Sequence, residues 1–220
     1  MIIEPIAYYR GSISGKFGLP RQSGIAPSLK GRIVFEKGYG VADALRGLEG
    51  FERIWLIWGF SENEGQWSPT VRPPRLGGNE RVGVWASRSP FRPNSLGLSA
   101  VEIDKIEDGV VYVSGADLMD GTPIYDIKPY VAYADAFPLS RSGFAQTAPA
   151  PRLQVIFNVD VDAAAKAVLT EVLSLDPRPA YQGDRKGRIY GIVFDNQDVR
   201  FTVEGDILTV VEVKPKPESL

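Results

Sequence analysis

The sequence predicts a mainly β protein, in which an antiparallel β-barrel domain is followed by a small α+β C-terminal domain. Two observations indicate the barrel: seven short runs of β-branched and aromatic residues lie before position 131, and Gly, Pro, Asn and Asp separate them. Such punctuated runs are typical of antiparallel barrels or sandwiches. A third observation, one amphipathic helical pattern among further strand runs beyond position 152, indicates the α+β unit.

The predicted strands of the first domain are residues 4–9, 31–35, 53–60, 81–87, 98–106, 110–116 and 124–130. Glu107-Asp108-Gly109 predicts a hairpin turn, because Gly adopts positive φ without strain. The run 53–60 is apolar on both faces, so we expect a central strand whose tryptophans lie in the core. Residues 41–48 predict a short helix that ends before Gly50.

Residues 140–152 have the composition of a linker or an extended strap, which divides the chain into a barrel domain (1–139) and a C-terminal domain (153–220). In the second domain we predict strands at 153–159, 187–194, 199–203 and 207–213, and a helix at 163–175. Asp162 should cap that helix, whose apolar stripe is Ala164, Val168, Val172 and Leu175. A unit of about sixty residues should pack on the barrel or on a partner subunit.

The composition excludes several kinds of chemistry. The chain has no His and no Cys, which excludes a Ser-His-Asp triad, disulfides, thiolate nucleophiles and His or Cys metal ligands. No carboxylate cluster in the sequence calls for a metal, so none is expected. The N-terminus lacks the pattern of a signal peptide and no run is long enough for a membrane span, so we expect a cytoplasmic protein without a membrane segment.

Charge is unevenly distributed along the chain. The net charge of −2 argues against a general nucleic-acid binder. Between positions 72 and 92, however, one acid (Glu80) accompanies five arginines: Arg72, Arg75, Arg81, Arg88 and Arg92. A second basic cluster comprises Arg178, Arg185, Lys186 and Arg188. Local positive faces indicate an anionic ligand, and the alternative is that these arginines are merely solvated.

Two motifs carry polar groups on stiff backbone. Residues 88–94 (Arg-Ser-Pro-Phe-Arg-Pro-Asn) hold two arginines beside prolines, and guanidinium forks suit carboxylate or phosphate. In residues 126–130 (Asp-Ile-Lys-Pro-Tyr), strand alternation places Asp126, Lys128 and Tyr130 on one face. These three groups form either an ion pair at a rim or a working site. A Rossmann-type or P-loop nucleotide site is not expected, since neither glycine motif is present.

Taken together, the motifs resemble the TsaA-like (TrmO-type) family of S-adenosylmethionine-dependent methyltransferases. The resemblance covers essentially the whole chain and runs through residues 20–22, 42–49, 70–79, 88–97, 120–130 and 176–181. It implies a β-barrel methyltransferase outside the Rossmann class, usually a homodimer. Its implied reaction is methylation of the exocyclic N6 of threonylcarbamoyladenosine, next to the anticodon of tRNA.

The resemblance also implies which residues bind S-adenosyl-L-methionine. They are Pro20, Arg21, Gln22, Ser61, Glu62, Arg88, Leu98, Asp117, Leu118, Met119, Asp120, Gly121 and Thr122. Family members often carry His at the position of Ser61, which is a departure in this chain. The C-terminal domain is expected to close over the site or to face the tRNA bound by the partner.

The methyl group of a sulfonium is already activated, so the reaction mainly requires alignment of the nucleophilic nitrogen. We predict Asp126, Lys128 and Tyr130 as catalytic residues, with Asp126 or Asp120 accepting the N–H proton. The predicted substrate-binding residues are Arg92, Arg178 and Tyr181. Either arginine could clamp the threonyl carboxylate, and Tyr130 or Tyr181 could stack on the base.

Two other classes of function stay open at the level of the sequence. One is a methyltransferase of the same fold that acts on a different nucleoside or on a small molecule. The other is a noncatalytic barrel that binds RNA or a ligand, which would show no methyl transfer.

Overall fold

The computed structural model describes residues 2–63, 65–178 and 187–216. Within these ranges the strands are β1 (Ala7–Gly11), β2 (Lys30–Phe35), β3 (Arg53–Gly59), β4 (Thr70–Val71), β5 (Val82–Gly83), β6 (Leu96–Glu107), β7 (Val110–Ser114), β8 (Pro123–Pro129), β9 (Gln154–Phe157), β10 (Tyr190–Phe194), β11 (Gln197–Glu204) and β12 (Ile207–Pro215). The α-helices are α1 (Ala42–Leu45), α2 (Ala132–Asp135) and α3 (Ala163–Ser174). In these ranges no helix is long and apolar enough to cross a membrane.

Six strands close into an antiparallel barrel in the order β1-β2-β7-β6-β3-β8. The predicted fold class is therefore confirmed. Ile54, Leu56 and Trp58 of β3 point into the barrel core, whereas the intervening residues lie on the outer wall. The expectation that both tryptophans of this strand are in the core is right for Trp58 and wrong for Trp55, because only every second residue of a barrel strand faces inward.

The predicted strand at 81–87 is wrong. Only Val82–Gly83 is extended, in a two-residue ribbon with β4, and a 3-10 turn follows at Val84–Ala86. A closed barrel offers no free edge to a seventh strand. Val84, which is 1% exposed, instead anchors this segment while its neighbour Trp85 points to solvent.

Antiparallel order determines which connections meet. The loops 12–29, 60–95 and 115–122 follow β1, β3 and β7, and all three lie at the same end of the barrel, which we call the loop end. The connections 36–52 and 108–109 lie at the opposite end. Residues far apart in the sequence are thus brought together at the loop end.

The C-terminal sheet has the order β10-β11-β12-β9, with β9 parallel to β12. α3 packs on it through Leu169 and Leu173, and Asp162 caps the helix by accepting the N–H groups of Ala164 and Ala165, each at 3.0 Å. The predicted helix and its cap are confirmed. Of the predicted stripe, Val168 and Val172 are buried but Ala164 is exposed.

Three residues of loop 12–29 join the C-terminal core: Ile13, Ala26 and Leu29. Ile13 also forms an isolated bridge with Phe194 of β10. The C-terminal unit therefore packs against a loop of the barrel. Residues 140–152 contain a single 3-10 turn and are largely exposed, and the division of the chain at 139 and 153 stays a prediction.

Tyr9 fills the barrel core beneath the loop end. Its side chain is 1% exposed, and its ring covers the cross-strand pair Gly11 and Gly31. A Cβ atom on Gly11 would lie 2.6–2.9 Å from atoms of the Tyr9 ring, and one on Gly31 would collide with the same ring. These glycines leave the space that the ring occupies.

We expect Gly31→Ala to lower the free energy of unfolding by about 1–3 kcal/mol, because the enclosed ring has no room to move away from a methyl group. Urea denaturation would measure the change. Gly83→Ala is the matched control, since its φ is −60° and its Cβ would meet no atom within 4 Å. Equal stability of the two variants would contradict this description of the core.

Candidate functional site

The loop end gathers most residues of the predicted cofactor site. Loop 12–29 carries Pro20, Arg21 and Gln22. Loop 60–95 carries Ser61, Glu62 and Arg88, and loop 115–122 carries Asp117, Leu118, Met119, Asp120, Gly121 and Thr122. Three of these residues, Pro20, Leu118 and Thr122, have buried side chains, so they shape the loops from within.

Asp117 at this end of the barrel is a carboxylate with several polar and charged neighbours. Its Oδ1 accepts a hydrogen bond from Ser99 Oγ at 2.5 Å, and Ser99 Oγ in turn accepts one from Trp58 Nε1 at 3.0 Å. Burial raises the pKa of Asp117 above the ordinary aspartate value. The Ser99 hydroxyl, the backbone N–H groups of Asp117 and Ser23, and the charge of Arg88 oppose that shift only in part.

Arg88 joins loop 60–95 to loop 12–29. Its Nη1 donates to Gln22 Oε1 at 2.5 Å, and Gln22 Nε2 donates to the carbonyl of Arg21 at 2.6 Å. Burial lowers the pKa of Arg21, while the charge of Asp176 acts in the opposite direction. Arg88, Gln22 and Arg21 are thus joined by hydrogen bonds, and Arg21 is close enough to Asp176 to interact with its charge.

Loop 115–122 is fixed to the end of β1. The N–H groups of Asp120 and Gly121 donate to the carbonyls of Ile13 and Tyr9, both at 2.8 Å. Asp120 Oδ1 accepts the N–H of Gly11 at 3.2 Å. A polar pocket of about 360 Å³ lies beside these contacts, lined by Gly11, Ser12, Ser14, Asp120, Asp195 and Asn196.

The Tyr9 hydroxyl lies under the same loop. Burial raises its pKa, and the charges of Asp117 and Asp120 raise it further. Among the described residues and their atoms, this hydroxyl has no hydrogen-bond partner. Its ring therefore supports the loop through packing.

Ser61 and Glu62 begin a 3-10 turn directly after β3. Both side chains are exposed at the loop end, and the carbonyl of Glu62 accepts a hydrogen bond from Lys16 Nζ at 3.2 Å. This contact is a second link between loop 60–95 and loop 12–29.

The predicted catalytic residues lie on the outer wall of the barrel. Lys128 Nζ and Asp126 Oδ2 are 2.9 Å apart in an ion pair whose side chains are 63% and 46% exposed. Tyr130 packs against Trp55, with ring centroids 5.6 Å apart. The three residues share one face, as predicted, but their catalytic role stays a prediction.

Leu98 places part of this wall next to the loop end. It is paired with Ile57 of β3, and Ile57 is paired with Asp126 of β8, so the three residues form one row across the wall. The register of β3 and β8 shifts between Ile57 and Trp58, on the side of this row nearer the loop end. Lys128 lies further along β8 and Tyr130 directly follows it, toward the opposite end of the barrel.

Both predicted substrate-binding arginines are already engaged. Arg92 Nη1 donates to the carbonyls of Ser87 at 2.7 Å and Val84 at 3.2 Å. Arg178 binds Asp176 through two nitrogens, at 2.8 Å and 3.0 Å, with side chains 9% and 11% exposed. Burial would raise the pKa of Asp176, but its bonds to Arg178 and the charge of that residue lower it overall. Tyr181 lies outside the described residues.

Sequence reasoning missed Ser99, Trp58 and Tyr9. A signal for Ser99 exists in hindsight, because it is a polar residue at an inward position of the apolar strand β6. No comparable signal marks Tyr9, whose place under the loop depends on the glycine pair opposite it.

Comparison with known proteins matches one family along most of the chain. The model of the tRNA-methyltransferase O N-terminal domain matches residues 8–136, and that of the TrmO C-terminal domain matches residues 150–216. The tRNA (adenine(37)-N6)-methyltransferase of Escherichia coli (strain K12) is 40% identical over 97% of each chain. A putative S-adenosylmethionine-dependent methyltransferase, RcsF of Pseudomonas aeruginosa, is 38% identical over 96% of each chain. The crystal structure of TrmO from Pseudomonas aeruginosa superposes with a TM-score of 0.80 at 31% identity, covering 97% of this chain and 98% of that one.

We expect Ser99→Ala to raise the pKa of Asp117 further, since the variant removes a hydrogen bond that stabilises the carboxylate. Carboxyl-carbon NMR titration would measure it. Ser114→Ala is the control, because that buried hydroxyl donates to Asp104 instead, at 3.0 Å. An unchanged pKa in Ser99→Ala would show that Ser99 does not hold Asp117.

Ionisation of Asp117 also makes the free energy of unfolding depend on pH. The pKa of Asp117 is higher in the folded than in the unfolded protein, so its contribution to stability is complete below the ordinary aspartate pKa. This contribution is lost as the pH rises through the folded-state pKa. Ser99→Ala should move the upper limit of that window to higher pH.

Proposed function

This chain belongs to the tRNA-methyltransferase O (TrmO) family, and we propose that it transfers a methyl group from S-adenosylmethionine to the exocyclic N6 of the adenine at position 37 of tRNA. The observation that carries the proposal is 40% identity, over 97% of both chains, to the Escherichia coli tRNA (adenine(37)-N6)-methyltransferase. We further propose that the acceptor is threonylcarbamoyladenosine, on the strength of the motifs in residues 120–130 and 176–181.

The chemistry of the loop end fits the proposed cofactor. S-adenosylmethionine carries a sulfonium and an ammonium, which favour nearby carboxylates, and an α-carboxylate, which suits a guanidinium. Asp117 and Asp120 supply the negative groups and Arg88 the positive one. Their three loops are linked by hydrogen bonds, from Arg88 to Gln22 and from the N–H of Asp120 to the carbonyl of Ile13. We propose that the loop residues named above, with Leu98 on the adjoining wall, hold the cofactor.

When bound, the cofactor supplies an activated methyl group. The protein then has to hold the acceptor nitrogen in line and remove its proton. We assign proton acceptance to the carboxylate of Asp126, because it lies in one row with Leu98 at the rim of the proposed cofactor site. Lys128 would hold that carboxylate in place through their 2.9 Å contact, and Tyr130 would support the wall through its packing on Trp55.

Arginines of loop 60–95 suit contacts with tRNA phosphates. Arg72, Arg75 and Arg81 are exposed, and two of them are held by hydrogen bonds, from Arg81 Nη1 to Thr70 Oγ1 at 2.7 Å and from Arg75 to the Thr147 carbonyl. We propose that these residues give tRNA binding its salt dependence. We propose a cytoplasmic location for the protein, because its proposed substrate is tRNA.

We also propose a homodimer that forms through the outer wall of β3, β6 and β8 and the segment after it. Leu98 is 51% exposed there. Tyr133, Phe137 and Leu139 follow β8 with 92%, 68% and 98% of their side chains exposed. A concentration of apolar side chains of this kind is typical of a protein interface.

A methyl-transfer assay with labelled S-adenosylmethionine and tRNA tests the proposed function. We expect Asp126→Asn to lower the single-turnover rate by about 10²–10⁴-fold, whereas Arg88→Ala should raise the cofactor Kd by about 10-fold or more. Asp43→Asn, an exposed carboxylate in α1 at the opposite end, is the control. Nucleoside mass spectrometry would identify the product.

The outcomes of that assay separate the proposals. An unchanged single-turnover rate in Asp126→Asn would remove this residue as the base and leave the function intact. Methylation of another nucleoside would contradict the proposed acceptor. If wild-type protein binds the cofactor and methylates no tRNA, the proposed function is wrong.

Light scattering after size exclusion tests the homodimer. We expect Phe137→Glu to yield a folded monomer, because the ring is already 68% exposed within one chain. Ile189→Glu, which alters a 57% exposed side chain of the C-terminal unit, should stay dimeric. A monomeric wild-type protein at micromolar concentration would contradict the proposal.

A further inference from the structure

Trp85 is an exposed ring that none of the roles above employs. It lies in the 3-10 turn Val84–Ala86 of loop 60–95, and 68% of its side chain is exposed. The guanidinium of Arg92 lies 5.1 Å from the centroid of its ring. One side of the indole is thus backed by a cation, and much of the ring is open to solvent.

The backbone beneath Trp85 is held in place by several contacts. Val84, its neighbour, is 1% exposed, and its N–H donates to the Pro69 carbonyl at 3.0 Å. The Val84 carbonyl accepts hydrogen bonds from Ser87 Oγ at 2.8 Å and from Arg92 Nη1 at 3.2 Å. The ring is therefore presented on an ordered turn, so binding to it requires little further ordering of the chain.

The surroundings of Trp85 are basic. The segment from 72 to 92 carries five arginines and one acid, although the whole chain has a net charge of −2. Arg88 follows Trp85 by three positions and contacts Gln22 in the proposed cofactor site. An aromatic ring among arginines is the arrangement with which proteins bind unpaired nucleotides, by stacking the base and neutralising the phosphates.

We propose that Trp85, backed by Arg92, is a stacking platform for an unpaired base of the tRNA anticodon loop. This inference rests on the proposed function and adds a binding site to it. Arginines on both sides of the ring in the sequence suit a polynucleotide with successive phosphates, which favours an RNA base over the single adenine of the cofactor. In this proposal the guanidinium of Arg92 packs against the Trp85 ring and holds it in position.

The test compares two RNAs: an anticodon stem-loop with adenosine at position 37, and a blunt duplex of equal length without unpaired bases. We expect Trp85→Ala to raise the Kd for the stem-loop by about 5- to 100-fold and to leave the Kd for the duplex unchanged. Trp85→Phe should restore most of the affinity, and Trp85→Leu should not. Tyr39→Ala, which removes a 50% exposed ring at the opposite end of the barrel, is the control.

Three outcomes would overturn the platform. The first is an unchanged Kd of Trp85→Ala for the stem-loop, and the second is an equal loss of affinity for both RNAs. The third is a higher Kd of Trp85→Ala for S-adenosylmethionine, which would assign the ring to the adenine of the cofactor. Thermal melting of each variant checks the fold. If Trp85→Ala is unstable, the comparison of Trp85→Phe with Trp85→Leu decides the question instead. Because RNA binding is measured without turnover, failure of the platform is distinguishable from an absence of methyl transfer by the wild-type protein.

Discussion

Closure of the six-stranded barrel is the constraint on which the rest of the structure depends. Once β1 pairs with both β2 and β8, the barrel has no free strand edge, and the antiparallel order brings the loops 12–29, 60–95 and 115–122 to one end. These loops carry nearly all of the residues proposed to bind the cofactor. Most of the barrel wall is regular, apart from register shifts beside Ile57 and Ile103, and the long irregular loops lie at one end, where ligands can bind. The C-terminal unit uses the same loop end, since its core includes Ile13 and Leu29.

The buried carboxylate of Asp117 is the part of the loop end that requires the most support. A carboxylate out of water costs free energy unless hydrogen bonds and charges compensate it, and at Asp117 the compensation by the Ser99 hydroxyl and by the charge of Arg88 offsets the effect of burial on the pKa only in part. A bound cation would complete it, which gives the proposed cofactor a physical reason to bind there. The exposed Asp126–Lys128 pair differs, because surface pairs of this kind contribute about 0–1 kcal/mol to stability. The pair therefore contributes little to the stability of the fold.

The sequence predicted the features that depend on local pattern. The barrel strands, the α3 helix and its Asp162 cap follow from periodicity and from capping chemistry, and the structure confirms them. The run at 81–87 has the composition of a strand, but the closed barrel has no edge for it, and this depends on strands elsewhere in the chain. The contact between Ser99 and Asp117 could not be predicted from the sequence either, since it joins a strand to a loop 18 positions away. Motifs thus predicted a candidate site, while the contacts around it become visible only in the three-dimensional arrangement.

The central claim is that S-adenosylmethionine binds at the loop end of the barrel. Amide hydrogen exchange with and without S-adenosylhomocysteine, read peptide by peptide, tests it most directly. We expect added protection in residues 20–23, 86–99 and 115–122 and none in residues 36–52 at the opposite end. Protection confined to residues 36–52 and 108–110, or to the C-terminal sheet alone, would contradict the claim.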